Sequence, residues 1–114
     1  MNATVFDNGD GVGDTPYLQW LHDHPAGWVL NSRRRLDPTY MILHRATCHS
    51  INRATRQADE NPFTGRGYIK VCSDNSEPLH VWIGRNGGAG FTKRCSRCRA
   101  WMRRDGSWPI SSGR

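Results

Sequence analysis

Aliphatic residues are scarce in this chain. Leu, Ile, Val and Phe occupy nineteen of 114 positions, about 17%, below the ~20% at which charged chains begin to read as disordered. A core built on aliphatic burial alone is therefore excluded. Long apolar runs are missing as well: the longest is about five residues around 40–43, against the ~20 that a membrane-crossing helix needs. No membrane partner is expected. Residues 1–14 hold neither a basic cluster nor an apolar stretch, so they do not read as a secretory signal, and a reducing cytoplasm is the expected compartment. Lysine is nearly absent, at two of sixteen basic residues.

What is present compensates for the thin core. Five Trp and three Tyr supply large rings, each able to bury on the order of 150–250 Å². Four Cys and five His supply metal ligands, the preferred reading of cysteine in a reducing compartment. The formal charge is +6 with a pI near 9.7. The acidic, glycine-rich segment 1–14 carries Asp7, Asp10 and Asp14 and no base, so the remainder is more basic still. Such a balance suits a polyanion, and nucleic acid is the leading partner. Arginine predominance favours planar, bidentate contact with phosphates and guanine edges, although high-GC codon usage produces the same bias.

One domain fits this length. Residues 1–14 read as a flexible tail, because DNGDGVGD lacks the alternating ligands and closing Glu of a calcium loop. Residues 15–104 read as a single zinc-stapled domain, and 105–114 as an irregular tail. Thr15, Pro16 and the spacing of Tyr17, Trp20 and Leu21 predict a short helix ended by Pro25 and Gly27. GWVLN at 27–31 and TYMILHR at 39–45 predict two strands of a hairpin around the basic turn 33–38. The stretch 46–67 has no sustained periodicity and reads partly as a mobile loop. GYIKVC at 67–72 predicts a third strand. Leu79, Trp82 and Ile83 then predict a second helix, stopped by Gly87 and Gly88. The expected fold class is α+β: a small mixed or antiparallel sheet of about three to five strands with two short helices, stapled by one structural zinc.

Cys95-Ser-Arg-Cys98 is the strongest local motif, since two thiolates on one tight turn can reach a single tetrahedral Zn²⁺ at ~2.3 Å. A redox pair is the competing reading, but the motif does not follow a strand into a helix as a thioredoxin-like site would. Cys48, just past the second strand, and Cys72, at the end of the third, complete the expected set Cys48, Cys72, Cys95, Cys98. His44 is the first substitute for Cys72, and His49 stands beside Cys48. Cys72 in its apolar run also fits a small buried hydrophobe. His22 and His24 lie two apart, on different sides of a helix, and read as a polar helix end.

Two basic clusters remain. Arg33, Arg34 and Arg35 form one; Lys93, Arg94, Arg97, Arg99, Arg103 and Arg104 surround the knuckle, and Arg45 ends the second strand. Basic residues interleaved with aromatics suit phosphate contact with base stacking. The strings HPAGWVLNSRRR, YMILHRATC, GYIKVCS and CSRC, in that order over about residues 17–101, resemble small actinobacterial modules associated with DNA binding and with restriction of modified DNA, including 5-methylcytosine readers. The resemblance implies DNA, and modified cytosine as a target, without assigning residue roles; double-stranded DNA is the expected partner. A methyl reader needs an aromatic or apolar pocket, for which Tyr40, Trp82 and Trp101 are the candidates.

The expected function is therefore a zinc-containing DNA-binding protein that grips phosphates through its Arg clusters. A metal-dependent nuclease is the alternative: His44, His49, Asp74 and Glu77 supply suitable side chains, but H-E-x-x-H, the zinc-deaminase pattern, a P-loop and a dense carboxylate set are all missing. A zinc-knuckle interaction module, of antitoxin or adaptor type, is the third reading.

Overall fold

The computed structural model describes residues 3–7, 14–52, 63–64, 67–96 and 98. Eight elements follow one another: β1 (Thr4–Phe6), α1 (Thr15–Asp23), β2 (Trp28–Arg33), β3 (Met41–Arg45), α2 (His49–Asn52), β4 (Tyr68–Ser73), α3 (Glu77–Arg85) and β5 (Lys93–Arg94). The five strands form one sheet in the order β1-β4-β2-β3-β5. All neighbours are antiparallel except β3 and β5, which run parallel and make the sheet mixed. The α+β class holds, with three helices among the described residues.

Register fixes which side chains share a face, because partners directly across a ladder point the same way and successive residues alternate. Val29 pairs with His44 on one side and Cys72 on the other, and Thr4 pairs with Cys72. The same face continues through Asn31, Ile42, Lys70, Phe6 and Lys93, and ends at Arg33 and Tyr68. α1 covers its first rows. Tyr17, fully buried, packs its ring 5.8 Å from Phe6 and 5.7 Å from Phe63, and its hydroxyl donates to the Ile51 carbonyl at 2.6 Å. The opposite face carries Leu30, Leu43, Met41 and Val71 and packs under α3 through the buried Leu79 and Ile83.

Local chemistry accounts for the helix ends. Pro16 and Pro78 each stand in a first turn, where the missing N–H costs nothing. α3 closes in a Schellman arrangement: the Gly88 N–H donates to the Ile83 carbonyl at 2.9 Å and the Gly87 N–H to the Gly84 carbonyl at 3.3 Å. Gly87 takes φ +88°, open to glycine without strain.

The expectation about the N-terminal segment is corrected. The segment 1–14 was expected as a flexible tail, yet Thr4–Phe6 forms an edge strand and Asp14 is 5% exposed. Asp14 sits at the start of α1 without capping it. Its carboxylate instead accepts from the Phe63 N–H at 3.0 Å, the Thr64 N–H at 2.9 Å and the Thr64 hydroxyl at 2.5 Å. A single carboxylate thus pins a distant turn, which no local pattern reveals. Of the stretch 46–67, the described residues include the short helix α2 and the buried turn at Phe63 and Thr64; the part expected as a mobile loop falls mainly on 53–62, outside the described residues. The expected boundary at residue 104 and the tail 105–114 lie outside the described residues. His24 does mark a polar helix end: its Nδ1 lies 2.8 Å from Asp74 Oδ1, and its ring stacks on Trp20.

Candidate metal centre

Three elements converge at one end of β3. His44 is the fourth residue of that strand and is 7% exposed. A tight turn follows, closed by the Cys48 N–H donating to the Arg45 carbonyl at 3.0 Å, and Cys48 directly precedes α2. β5 lies parallel to β3 with Ile42 opposite Lys93 and Leu43 opposite Arg94. One residue further, the Cys95 N–H donates to the Leu43 carbonyl at 2.9 Å, which brings Cys95 alongside His44. The knuckle turn then returns Cys98 to the strand end, where its Sγ accepts from the Arg45 N–H at 3.2 Å.

His44, Cys48, Cys95 and Cys98 offer ligand atoms that all lie within 4.8 Å of one another. The Cys48 and Cys95 sulfurs are 3.8 Å apart. In a tetrahedron with metal–sulfur bonds of ~2.3 Å two sulfurs stand about 3.8 Å apart, whereas a disulfide would bring them to ~2.05 Å. All four cysteines are free thiols. The donor set and its spacing therefore fit a tetrahedral Cys₃His metal site.

The set corrects the expected Cys48, Cys72, Cys95, Cys98. Cys72 and His44 flank the same residue, Val29, from opposite sides, so two strand spacings, roughly 9.6 Å, separate them. No single ion spans that gap. Cys72 is fully buried in the sheet core, and burial pushes its thiol far above the ordinary range. His44 takes the fourth position.

Electrostatics prepares the imidazole and opposes bare thiolates. Burial, with Lys70 and Lys93 adding repulsion, lowers His44 from 6.5 to about 4, so it is neutral and ready to ligate at neutral pH. Burial pushes the Cys98 thiol up to about 12; the Arg45 N–H opposes this, and Cys48 beside it reinforces it. A divalent cation reverses that balance by bonding the thiolate directly. Ser50 is a member that spacing could not reveal: its hydroxyl lies 2.9 Å from Cys48 Sγ and 3.4 Å from His44 Nδ1. It tethers two ligands from the side.

The basic residues divide by role. Arg34 is engaged within the fold, its Nε donating to Asp7 at 2.6 Å and its Nη2 to the Thr64 carbonyl at 2.6 Å. Arg45 places its guanidinium 4.9 Å from the Trp28 ring centre. Arg33 lies 4.6 Å from the Tyr40 ring centre and 5.3 Å from that of Tyr68. Arg35, Lys93 and Arg94 are exposed, Arg94 lying 5.4 Å from the Phe91 ring. A cavity of about 720 Å³ at the hairpin end is lined by Arg33, Arg34, Arg35, Asp37 and Gly67 among others. Asp37 there spends one carboxylate oxygen on the Thr39 N–H at 2.9 Å and the Thr39 hydroxyl at 2.6 Å. Tyr40 and Trp82 are half-buried and stand on different elements, Trp82 on α3. Arg97, Arg99, Arg103, Arg104 and Trp101 lie outside the described residues.

No family model matches the chain, and neither a curated protein nor a solved structure does. Among the described residues no helix is long and apolar enough to cross a membrane.

Proposed function

We propose that the chain is a zinc-containing DNA-binding protein in which the His44, Cys48, Cys95, Cys98 site is structural and exposed arginines together with Lys93 hold the phosphate backbone. Zinc is the metal of this proposal because three thiolates and one imidazole are its usual structural ligand set. A structural rather than catalytic role follows from burial, since four protein ligands leave no position for water or substrate. The observation that carries the DNA reading is the hairpin cavity of about 720 Å³ lined by three consecutive arginines. A chain of net charge +6 has no shortage of basic surface, but here three consecutive arginines line one concavity, and with Arg34 already paired to Asp7 it is Arg33 and Arg35 that would attract an anion there. The exposed Lys93 and Arg94 extend the basic surface along β5. That strand also leads directly into Cys95, so the metal would fix the grip.

Recognition of 5-methylcytosine is the finer part of the proposal and rests on the resemblance of the four strings quoted above. The test of both parts is a salt titration of duplex binding with methylated and unmethylated probes. Each phosphate neutralised contributes roughly 0.9 to the slope of log K against log salt. Arg35→Ala and Lys93→Ala should each lower that slope by about one and weaken all sequences alike. Arg34→Ala is unsuitable, because it removes bonds to Asp7 and Thr64. Absence of binding at low salt, or a slope untouched by both changes, refutes the DNA reading; equal affinity for the two probes refutes the methyl reading alone.

A further inference from the structure

The sheet face that holds His44 at one end finishes at the other in an aromatic row that the metal centre does not use. Tyr68 opens β4 directly opposite Arg33, and Tyr40 precedes β3 on the far side of Arg33. The two rings lie with centres 5.7 Å apart and planes tilted by 43°. Both are half-buried, while Arg33 above them is exposed. Tyr17 and α1, which seal the earlier rows, reach as far as Phe6 and Phe63.

Below the rings, Asn31 donates from Nδ2 to the Tyr40 hydroxyl at 3.4 Å. Its Oδ1 is buried and, among the described residues, has no hydrogen-bond partner, an uncompensated acceptor at the root of the row. Arg33 also lines the hairpin cavity together with Arg34 and Arg35. Two aromatic rings capped by a guanidinium, beside a cavity lined in part by three arginines, are the elements that hold a flat base and its phosphate together.

We propose that Tyr40 and Tyr68 form a stacking platform for one unpaired nucleobase, with Arg33 and Arg35 holding its flanking phosphate in the hairpin cavity. This rests on the nucleic-acid reading and adds to it a preference for bases outside a duplex. On binding, the base takes the place of the Arg33 guanidinium over the rings, and Arg33 turns to the phosphate. Phosphate contacts position the strand, and stacking selects unpaired over paired bases. Every base has a π-face, so the preference is for an unpaired state rather than a sequence.

The test is fluorescence anisotropy, compared between probes at each step of one salt series, with four labelled probes: a full duplex, the same duplex with one extrahelical base, single-stranded DNA and single-stranded RNA. Wild-type protein should bind the bulged duplex roughly tenfold more tightly than the full duplex, the scale of one stacked base. Tyr68→Leu should abolish that ratio and leave full-duplex affinity and its salt slope unchanged, while Tyr68→Phe should keep the ratio. The two single-stranded probes identify the sugar: tighter binding of either one than of the full duplex supports the platform. Full-duplex binding of normal salt slope with no bulge preference in the wild type, or a preference that survives in Tyr68→Leu, overturns the platform and spares the DNA reading. Failure to bind any probe overturns both. Metal content and melting midpoint matching wild type show that Tyr68→Leu is folded; if it is not, loss of the ratio in Tyr40→Leu supports the platform and its survival there overturns it.

Discussion

Removing one cysteine at a time separates the metal centre from the core, because Cys72 and Cys95 are almost equally buried, at 0% and 8% exposure, yet only one of them stands beside His44. Cys72→Ala deletes one sulfur from a sealed core, a loss comparable to a single buried methyl group at about 1 kcal/mol. For a domain of this size that lowers the melting midpoint by roughly 4–8 °C, and the variant should still carry one zinc per chain. Cys95→Ala removes a ligand. Structural zinc contributes apparent binding energies on the order of 10–16 kcal/mol in small finger peptides, as large as the whole stability of a typical domain at 5–15 kcal/mol. With so few aliphatic residues in the core, Cys95→Ala and His44→Ala should purify without stoichiometric zinc and lose the cooperative transition, as should wild type after chelation. The assay is metal analysis of freshly purified, reduced protein together with calorimetry. Zinc lost from Cys72→Ala but kept by His44→Ala would refute the Cys₃His assignment. A wild-type melt unchanged by chelator would refute the staple itself.

Three further outcomes follow from buried groups elsewhere. Asp14→Asn places an amide against the Phe63 and Thr64 donors and should cost about 2–4 kcal/mol, read as a lower urea midpoint; a change under about 0.5 kcal/mol would show the turn is held by other contacts. Lys70 is 4% exposed, donates to the Phe63 carbonyl at 2.6 Å, and is lowered by burial from 10.5 to about 8 against the opposing pull of Asp14. Its folded pKa lies below the unfolded one, so its stabilising contribution is complete above pH 10.5 and lost as pH falls through 8. Lys70→Met should therefore gain about 2 kcal/mol near pH 7, and the gain should shrink steadily towards pH 10.5; a constant difference between these pH values contradicts the burial argument. At Gly27 an added Cβ would lie 2.6 Å from Trp20 Cη2 and 3.1 Å from the His24 carbonyl. Gly27→Ala should thus displace the Trp20–His24 stack, with a changed near-ultraviolet dichroism and a loss of about 1–3 kcal/mol; an unaltered spectrum would mean the loop yields instead of the ring.

Sequence by itself determined the elements whose signals are local. α1 and α3 announce themselves through Pro16 and Pro78 in their first turns and through buried pairs four residues apart, Tyr17 with Leu21 and Leu79 with Ile83. The hairpin of β2 and β3 and the strand β4 are carried by β-branched and aromatic runs between turn residues. Three of the four metal-site residues were equally legible, since the knuckle spacing of Cys95 and Cys98 and the position of Cys48 after a strand are properties of chain order. Tertiary structure alone chose the fourth. Cys72 and His44 each stand one residue before the end of a strand, and only the placement of β2 between β4 and β3 sets Cys72 two strand widths from the site. The parallel edge strand β5, two residues long and exposed, carries no pattern of its own; its register on β3 is what brings Cys95 beside His44. The same holds for β1, whose partners on β4 lie more than sixty positions away, and for Asp14, whose partners lie about fifty away. Periodicity reports the face a residue presents, whereas ligand sets and buried carboxylates depend on which elements become neighbours, and long-range pairing decides that.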